Sequence, residues 1–224
     1  MGPWLKASPV KLEKPDGGRV LALAPHIDDD IIGCGGTLAK HAEAGDEVCA
    51  LYFADCTEAR MKEAGEAARV IGIGKLEFLE FRSKDLYNHR KEAAKKLEEA
   101  LERHRPATLY LPSLFDRHND HLAVNHILAD ICGRAKIRTD FTVCAYEVWT
   151  PLVPNLIVDI SSTMDKKKEA VSRYKSQLAS NDWLEAAASL NRYRAIVSGA
   201  GGYAEGFIML SAKNYFDLWK RVYL

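Results

Sequence analysis

The sequence lacks the features that mark several large classes of protein. No apolar stretch approaches the roughly 20 residues that cross a bilayer as a helix. The N-terminus, Met1-Gly2-Pro3-Trp4, has no basic segment followed by an apolar run, so no secretory signal is expected. An excess of either charge is missing too. Lys and Arg total 31 and Asp and Glu total 31, which removes the electrostatic reason to expect nucleic acid or an anionic membrane as a partner. The five cysteines, Cys34, Cys49, Cys56, Cys132 and Cys144, are scattered, odd in number and form no CxxC pair. That argues against a disulfide framework and a Cys-rich structural zinc site, and for reduced thiols in a cytoplasm. There is no GxSxG motif for a serine nucleophile, no internal repeat and no low-complexity tract. Gly33-Cys34-Gly35-Gly36 lacks the GxGxxG spacing of a dinucleotide site, and the acidic residues before it would repel a pyrophosphate.

What remains is ordinary globular material. Of 224 residues, 47% are hydrophobic, enough for one compact domain over residues 1–224. Residues 1–18, polar and rich in Pro and Gly, read as a surface leader. Arg19–Pro25 and Val48–Ala54 are dense apolar runs that predict buried strands. Leu76–Leu79, Thr108–Leu111, Phe141–Val148 and Leu156–Ile160 predict further strands. Helical spacing predicts helices over Thr37–Ala44, Glu58–Ile71, Lys91–His104, Leu122–Ile131, Asp165–Leu178 and Trp183–Val197. Strands alternating with helices imply an α/β fold, a Rossmann-like and mostly parallel sheet with helices on both faces. The alternation breaks after about Pro151, where a C-terminal cap region is expected.

In such a sheet, ligands bind beyond the carboxyl ends of the strands, near the switch in strand order. Two of those ends are rich in metal-ligand chemistry. His26-Ile27-Asp28-Asp29-Asp30 follows the first strand, and Asp116-Arg117-His118-Asn119-Asp120-His121 follows Thr108–Leu111. Imidazole and carboxylate are natural zinc ligands, and catalytic zinc takes three protein ligands beside an open position. His26 and Asp29, three apart in a tight turn, can share an ion with His121. Asp28 would then lie beside the ion as a general base for water. His118, oriented by Asp120 and protonated, could stabilise an oxyanion. Asp30 reads equally as a helix N-cap.

The chain resembles the PIG-L/LmbE-like family of zinc-dependent N-deacetylases. The family's His-Pro-Asp-Asp-Glu and Gly-x-Gly-Gly-Thr stand here as His26-Ile27-Asp28-Asp29-Asp30 and Gly33-Cys34-Gly35-Gly36-Thr37. Its His-x-Asp-His stands as His118-Asn119-Asp120-His121. Asp55, Tyr146-Glu147-Val148-Trp149, Ser176-Gln177 and Ala204-Glu205-Gly206-Phe207 match other family landmarks. The resemblance implies one Zn2+ on His26, Asp29 and His121, with another divalent metal as an alternative. It also implies Asp28 as base, His118 as oxyanion stabiliser with Asp120 as its orienter, and Arg60 and Asp85 near the sugar. Ile27 replaces the usual Pro, and Asp30 is one methylene shorter than Glu. The implied reaction removes an acetyl or other acyl group from an amino sugar such as an N-acetylglucosamine derivative. Alternatives are an amidase acting on a non-sugar amide or thiol conjugate, and a non-catalytic Rossmann-like binding module. The expected partner is a small N-acetylated sugar or glycoconjugate, and a homo-oligomer is compatible with a chain of this size.

Overall fold

A computed structural model describes residues 8–133 and 139–224. In chain order the elements are β1 (Val10–Leu12), β2 (Arg19–Ala24), α1 (Asp29–Glu43), β3 (Glu47–Ala54), α2 (Glu58–Ile71), β4 (Lys75–Phe81), α3 (Arg90–His104), β5 (Thr108–Pro112), α4 (Asn119–Cys132), β6 (Thr142–Tyr146), β7 (Leu156–Asp159), α5 (Met164–Val171), α6 (Lys175–Leu178), α7 (Trp183–Ser198), β8 (Ala204–Ser211) and α8 (Ala212–Tyr223). The apolar runs dictate the layering. Side chains alternate across a strand, so Val20, Ala22 and Ala24 of β2 enter one core and Leu21 and Leu23 the other. Val48, Ala50 and Tyr52 of β3 divide from Cys49, Leu51 and Phe53 in the same way. Strands apolar on both faces need cover on both. Here α1, α2, α5 and α7 cover one face, and α3, α4 and α8 cover the other.

The strand order is β1-β7-β8-β6-β5-β2-β3-β4. Neighbours run parallel except β8, which lies antiparallel between β6 and β7. The chain winds outward from β2 through β3 to β4, then returns to β5 on the other side of β2. The switch in strand order therefore lies between β2 and β5, the two strands that carry the acidic and histidine-rich loops.

Several elements differ from the sequence expectation. The region after Pro151 both caps and extends the sheet, because β7 and β8 join it. Part of the expected leader, Val10–Leu12, pairs with Leu156–Val158 as an edge strand; residues 1–7 lie outside the described residues. The helix expected over Asp165–Leu178 is broken into α5 and α6. Among the described residues, no helix is long and apolar enough to cross a membrane.

The largest difference is in α1, which begins at Asp29 rather than Thr37 and runs through the glycines. Its backbone leaves helical geometry at Cys34, with φ −141° and ψ 17°. Glycine is required beside this kink because the helix lies against the sheet. A Cβ on Gly33 would come within 2.2 Å of the Tyr146 ring, and one on Gly36 within 2.7 Å of Ile160. Past the kink, Gly36 and Thr37 begin a new helical segment whose first N–H groups need acceptors. The Glu205 carboxylate of β8 supplies them, accepting from Gly36 N at 2.9 Å, Thr37 N at 2.8 Å and Thr37 Oγ1 at 2.6 Å. Lys167 of α5, itself fully buried, neutralises that carboxylate at 2.6 Å.

Removing one partner of a buried ion pair strands the other charge. Lys167→Met should therefore lower unfolding stability by about 3–5 kcal/mol. Urea unfolding checks this, and a loss under about 1 kcal/mol would remove the internal-cap role assigned to Glu205.

Candidate metal centre

The switch between β2 and β5 brings the two loops together. His26 lies in the turn after β2, and Asp29 opens α1. His118 is the N-cap of α4, with Asp120 and His121 in its first turn. The ring centroids of His26 and His121 are 5.4 Å apart, those of His118 and His121 4.8 Å, and those of His26 and His118 4.7 Å. Oδ2 of Asp29 is the common point. It lies 3.0 Å from Nδ1 of His26 and 3.1 Å from Nε2 of His121, and accepts the His26 backbone N–H at 2.8 Å. A carboxylate in the first turn of a helix is favoured by the positive end of the helix dipole.

Each of these two histidines has a second carboxylate at its other ring nitrogen. Nε2 of His26 lies 3.0 Å from Oδ2 of Asp120, which also accepts from Ser83 Oγ at 3.0 Å and Lys84 N at 2.8 Å. Nδ1 of His121 lies 3.3 Å from Oδ2 of Asp116. Asp116 also ties the two loops together, accepting from His118 N at 3.0 Å and Trp149 N at 3.1 Å. Carboxylates behind the imidazoles are the usual device for fixing metal-ligating histidines.

The residues fit a divalent cation on one further observation. His121 is fully buried, and neither of its ring nitrogens has a hydrogen bond of acceptable geometry, although both face carboxylates at ion-pair distance. A buried polar group without a hydrogen bond is costly, and a cation beside Asp29 would satisfy it. The charges agree. Burial raises the Asp29 carboxyl, but the charges of His121 and His26 outweigh it and hold the group well below the usual carboxylate range. Burial lowers the two histidines, but Asp29 foremost raises His26 to about 10 and His121 to about 9. Protons thus stand where a cation's charge would stand. The donors are nitrogen and oxygen, a set suited to zinc and open to other divalent ions.

Asp28, the N-cap of α1, lies beside this group without contacting either imidazole at hydrogen-bond distance among the described contacts. Burial, then the charge of Asp29, pushes its carboxyl up to about 7. Asp28 lines a cavity of about 170 Å³ together with His26, Asp29, His118, Asp55, Arg60, Ser83, Trp149, Gln177, Asn181 and Trp183. Nη1 of Arg60 donates to Asp55 at 3.3 Å. The Trp149 ring stacks on His118 at 5.7 Å and meets Trp183 edge-on at 5.0 Å.

Three sequence expectations are corrected. The Asp120 carboxylate orients His26, not His118; its distance to Nε2 of His26 is 3.0 Å. Only its backbone reaches His118, donating N–H to Nδ1 at 3.2 Å. Because Nδ1 accepts, His118 presents Nε2–H as a neutral imidazole rather than the protonated ring expected. Burial, then the charges of His121 and His26, lowers its pKa to the same effect. Asp85 does not line the cavity. Its carboxylate turns to Asn88 at 2.6 Å and His89 at 3.3 Å, and Ser83 takes the place expected for it. Sequence reasoning gave no role to Asp116, Ser83, Trp149 or Trp183. Asp116 stood inside the second cluster and was findable there. The others reach the site only through tertiary packing.

Comparison with known proteins places the chain in a family. The PIG-L sequence family, described as GlcNAc-PI de-N-acetylase, matches residues 21–132, half of the chain. The chain belongs to the PIG-L family. Both loops of the centre fall within the matched segment. A diacetylchitobiose deacetylase from Thermococcus kodakarensis is 26% identical over 203 residues, covering 77% of this chain and 76% of that protein. The crystal structure of the conserved protein TT1542 from Thermus thermophilus superposes with a TM-score of 0.75 at 31% identity, covering 84% of this chain and 93% of that one. An N,N'-diacetylchitobiose deacetylase from Pyrococcus horikoshii, crystallised with an inhibitor, superposes with the same TM-score at 24% identity, over 89% and 86% of the chains; at that identity it speaks for the PIG-L fold.

The second carboxylate behind His121 yields a direct test. Asp116→Asn should weaken zinc binding about 10–100-fold without unfolding the chain. A competition titration against a chromogenic chelator measures this, and unchanged affinity would deny Asp116 its positioning role. A zinc ion taken up here would have to displace the protons on His26 and His121. Wild-type affinity should therefore rise with pH through the neutral range, about tenfold per unit for each proton displaced.

Proposed function

We propose that the chain hydrolyses the N-acetyl group of an amino sugar, an N-acetylglucosamine derivative being the representative substrate. The observation that carries this reading is the convergence of His26 and His121 on one Asp29 oxygen, with Asp28 lining the same cavity as His26 and Asp29. The two diacetylchitobiose deacetylases among its relatives support an N-acetylated sugar as substrate.

In this proposal His26, Asp29 and His121 hold the cation, zinc being the ion this donor set suits. When bound, the cation supplies the positive charge that brings the pKa of water down to about 7 and polarises the acyl oxygen. Asp28 takes a proton from water as the water oxygen bonds to the acyl carbon. The acyl oxygen gains negative charge in that step, and Nε2–H of neutral His118 donates to it. The C–N bond then breaks. Asp28 returns its proton to the departing nitrogen, leaving the free amine and acetic acid, which ionises to acetate by giving its proton to solvent. Arg60, held by Asp55, and Gln177 and Asn181 offer polar contacts for sugar hydroxyls, while Trp149 and Trp183 offer apolar faces for sugar C–H groups. The five cysteines are free thiols, and we place the enzyme in the cytoplasm.

Acetate release measured over a panel of N-acetylated amino sugars, with N-acetyl amino acids as the non-sugar comparison, tests the substrate class. Release from the sugars at least tenfold faster is expected, and preference for the non-sugar amides would overturn it. Asp28→Asn should cut kcat by about 10²–10⁴-fold while leaving bound zinc unchanged; full activity in that variant contradicts the base assignment.

The pH profile separates the two histidine states. Asp28 must be ionised, and a bound cation favours the carboxylate. Activity should therefore fall only as pH drops below about 7, and hold level from pH 7 to 9 because neutral His118 has no proton to lose there. A protonated His118 as the donor would instead cost activity as pH rises through that interval.

A further inference from the structure

A second cluster of metal-ligand side chains lies away from this centre, toward the other end of the sheet. Cys49 stands near the start of β3, Glu77 near the start of β4, and His104 closes α3. Asp55, in the catalytic cavity, is six residues along from Cys49, or about 20 Å of extended strand. The motif spacing of the sequence gives no hint of the cluster, because its members are 28 and 27 residues apart and join only through the β3–β4 pairing and the packing of α3.

We propose that Cys49, Glu77 and His104 form a second site, for a thiophilic divalent cation such as zinc. Their donor atoms all lie within 4.8 Å of one another. Sγ of Cys49 is 3.7 Å from Nε2 of His104, and that nitrogen is 2.8 Å from Oε1 of Glu77. Tetrahedral zinc with its ordinary bond lengths sets S···N at about 3.5 Å and N···O at about 3.3 Å. The sulfur edge is therefore nearly in place, and the oxygen edge needs to open by about 0.5 Å. Cys49 and His104 are buried on rigid elements, at 3% and 9% exposure. One thiolate and one carboxylate would together neutralise a divalent cation, and the thiolate favours a soft one.

The competing reading is an ion-pair hub around Glu77. Arg103 holds Oε2 at 2.5 Å, and Lys75 approaches Oε1 at 2.8 Å. Arg103 reaches Oε1 only by a long bond from Nε at 3.4 Å, and Lys75, with half of its side chain exposed, can swing into water as a cation takes that oxygen. Burial, then the charge of Glu77, pushes the Cys49 thiol up to about 12. The ion must therefore displace a thiol proton, and binding strengthens as pH rises. A filled site would join the β4 edge of the sheet to the end of α3.

The catalytic centre has no sulfur, so a cobalt titration of the intact protein separates the two sites. Thiolate-to-cobalt charge-transfer absorption in the near ultraviolet is expected in wild type and in His121→Ala. It should be lost in Cys49→Ser and in His104→Gln, the latter keeping a hydrogen-bonding group beside Glu77, with far-ultraviolet circular dichroism verifying the fold of each. Equilibrium dialysis should find one more zinc ion on wild type than on Cys49→Ser. Absence of the band in wild type, its persistence in Cys49→Ser, or half-saturation only at millimolar cobalt or weaker would mean an ion-pair hub only and would overturn the proposal.

Discussion

One oxygen of Asp29 lies 3.0 Å from the His26 ring and 3.1 Å from the His121 ring, and much of the architecture serves to keep it there. His26 and His121 are 95 residues apart in sequence. They meet because β2 and β5 are adjacent at the switch in strand order, and because each strand hands over within a few residues to a helix. Asp29 opens one of those helices, and Asp120 and His121 lie in the first turn of the other, where exposed N–H groups favour negative charge. The fold therefore concentrates carboxylates at a point where burial alone would discharge them. Asp28 and Asp30, neither of them hydrogen-bonded to an imidazole, are the ones that burial raises, and of the two Asp28 lines the cavity. Two neighbouring carboxylates are thus tuned apart by their partners, one suited to ligation and the other to proton transfer.

That arrangement rests on support from behind. The first turn of α1 keeps its place because the helix is kinked at Cys34 and restarted on the buried Glu205–Lys167 pair. The loop that carries His118 is fastened to the β6 side by Asp116, which accepts from the backbone of both His118 and Trp149. Buried charges that neutralise a helix start or a loop corner thus act at one remove from the chemistry. Loss of one would disturb the site through position rather than through contact.

The two His- and Asp-rich loops and the parallel half of the sheet are legible in the sequence because they are local. Apolar runs such as Arg19–Pro25 report burial on both faces, and His26-Ile27-Asp28-Asp29-Asp30 carries its chemistry in consecutive residues. The start of α1 was misread because Gly33, Gly35 and Gly36 signal a loop, whereas contact with Tyr146 and Ile160 demands glycine inside a helix. β8 went unseen because Glu205 and Gly206 disfavour a strand, and the buried partner that makes Glu205 tolerable, Lys167, is 38 residues away. α8 could have been read from Tyr215, Trp219 and Tyr223 at helical spacing behind the cap Ser211. The roles of Asp120 and Asp85 depended on which neighbour each carboxylate faces, and only tertiary packing decides that.

The most direct test is an anomalous-scattering map from crystals of the zinc-loaded protein. A zinc peak bonded to His26, Asp29 and His121, and absent from the same place in His121→Ala crystals, is the predicted result. A map of well-ordered, zinc-soaked wild-type crystals with no peak between these residues would contradict it.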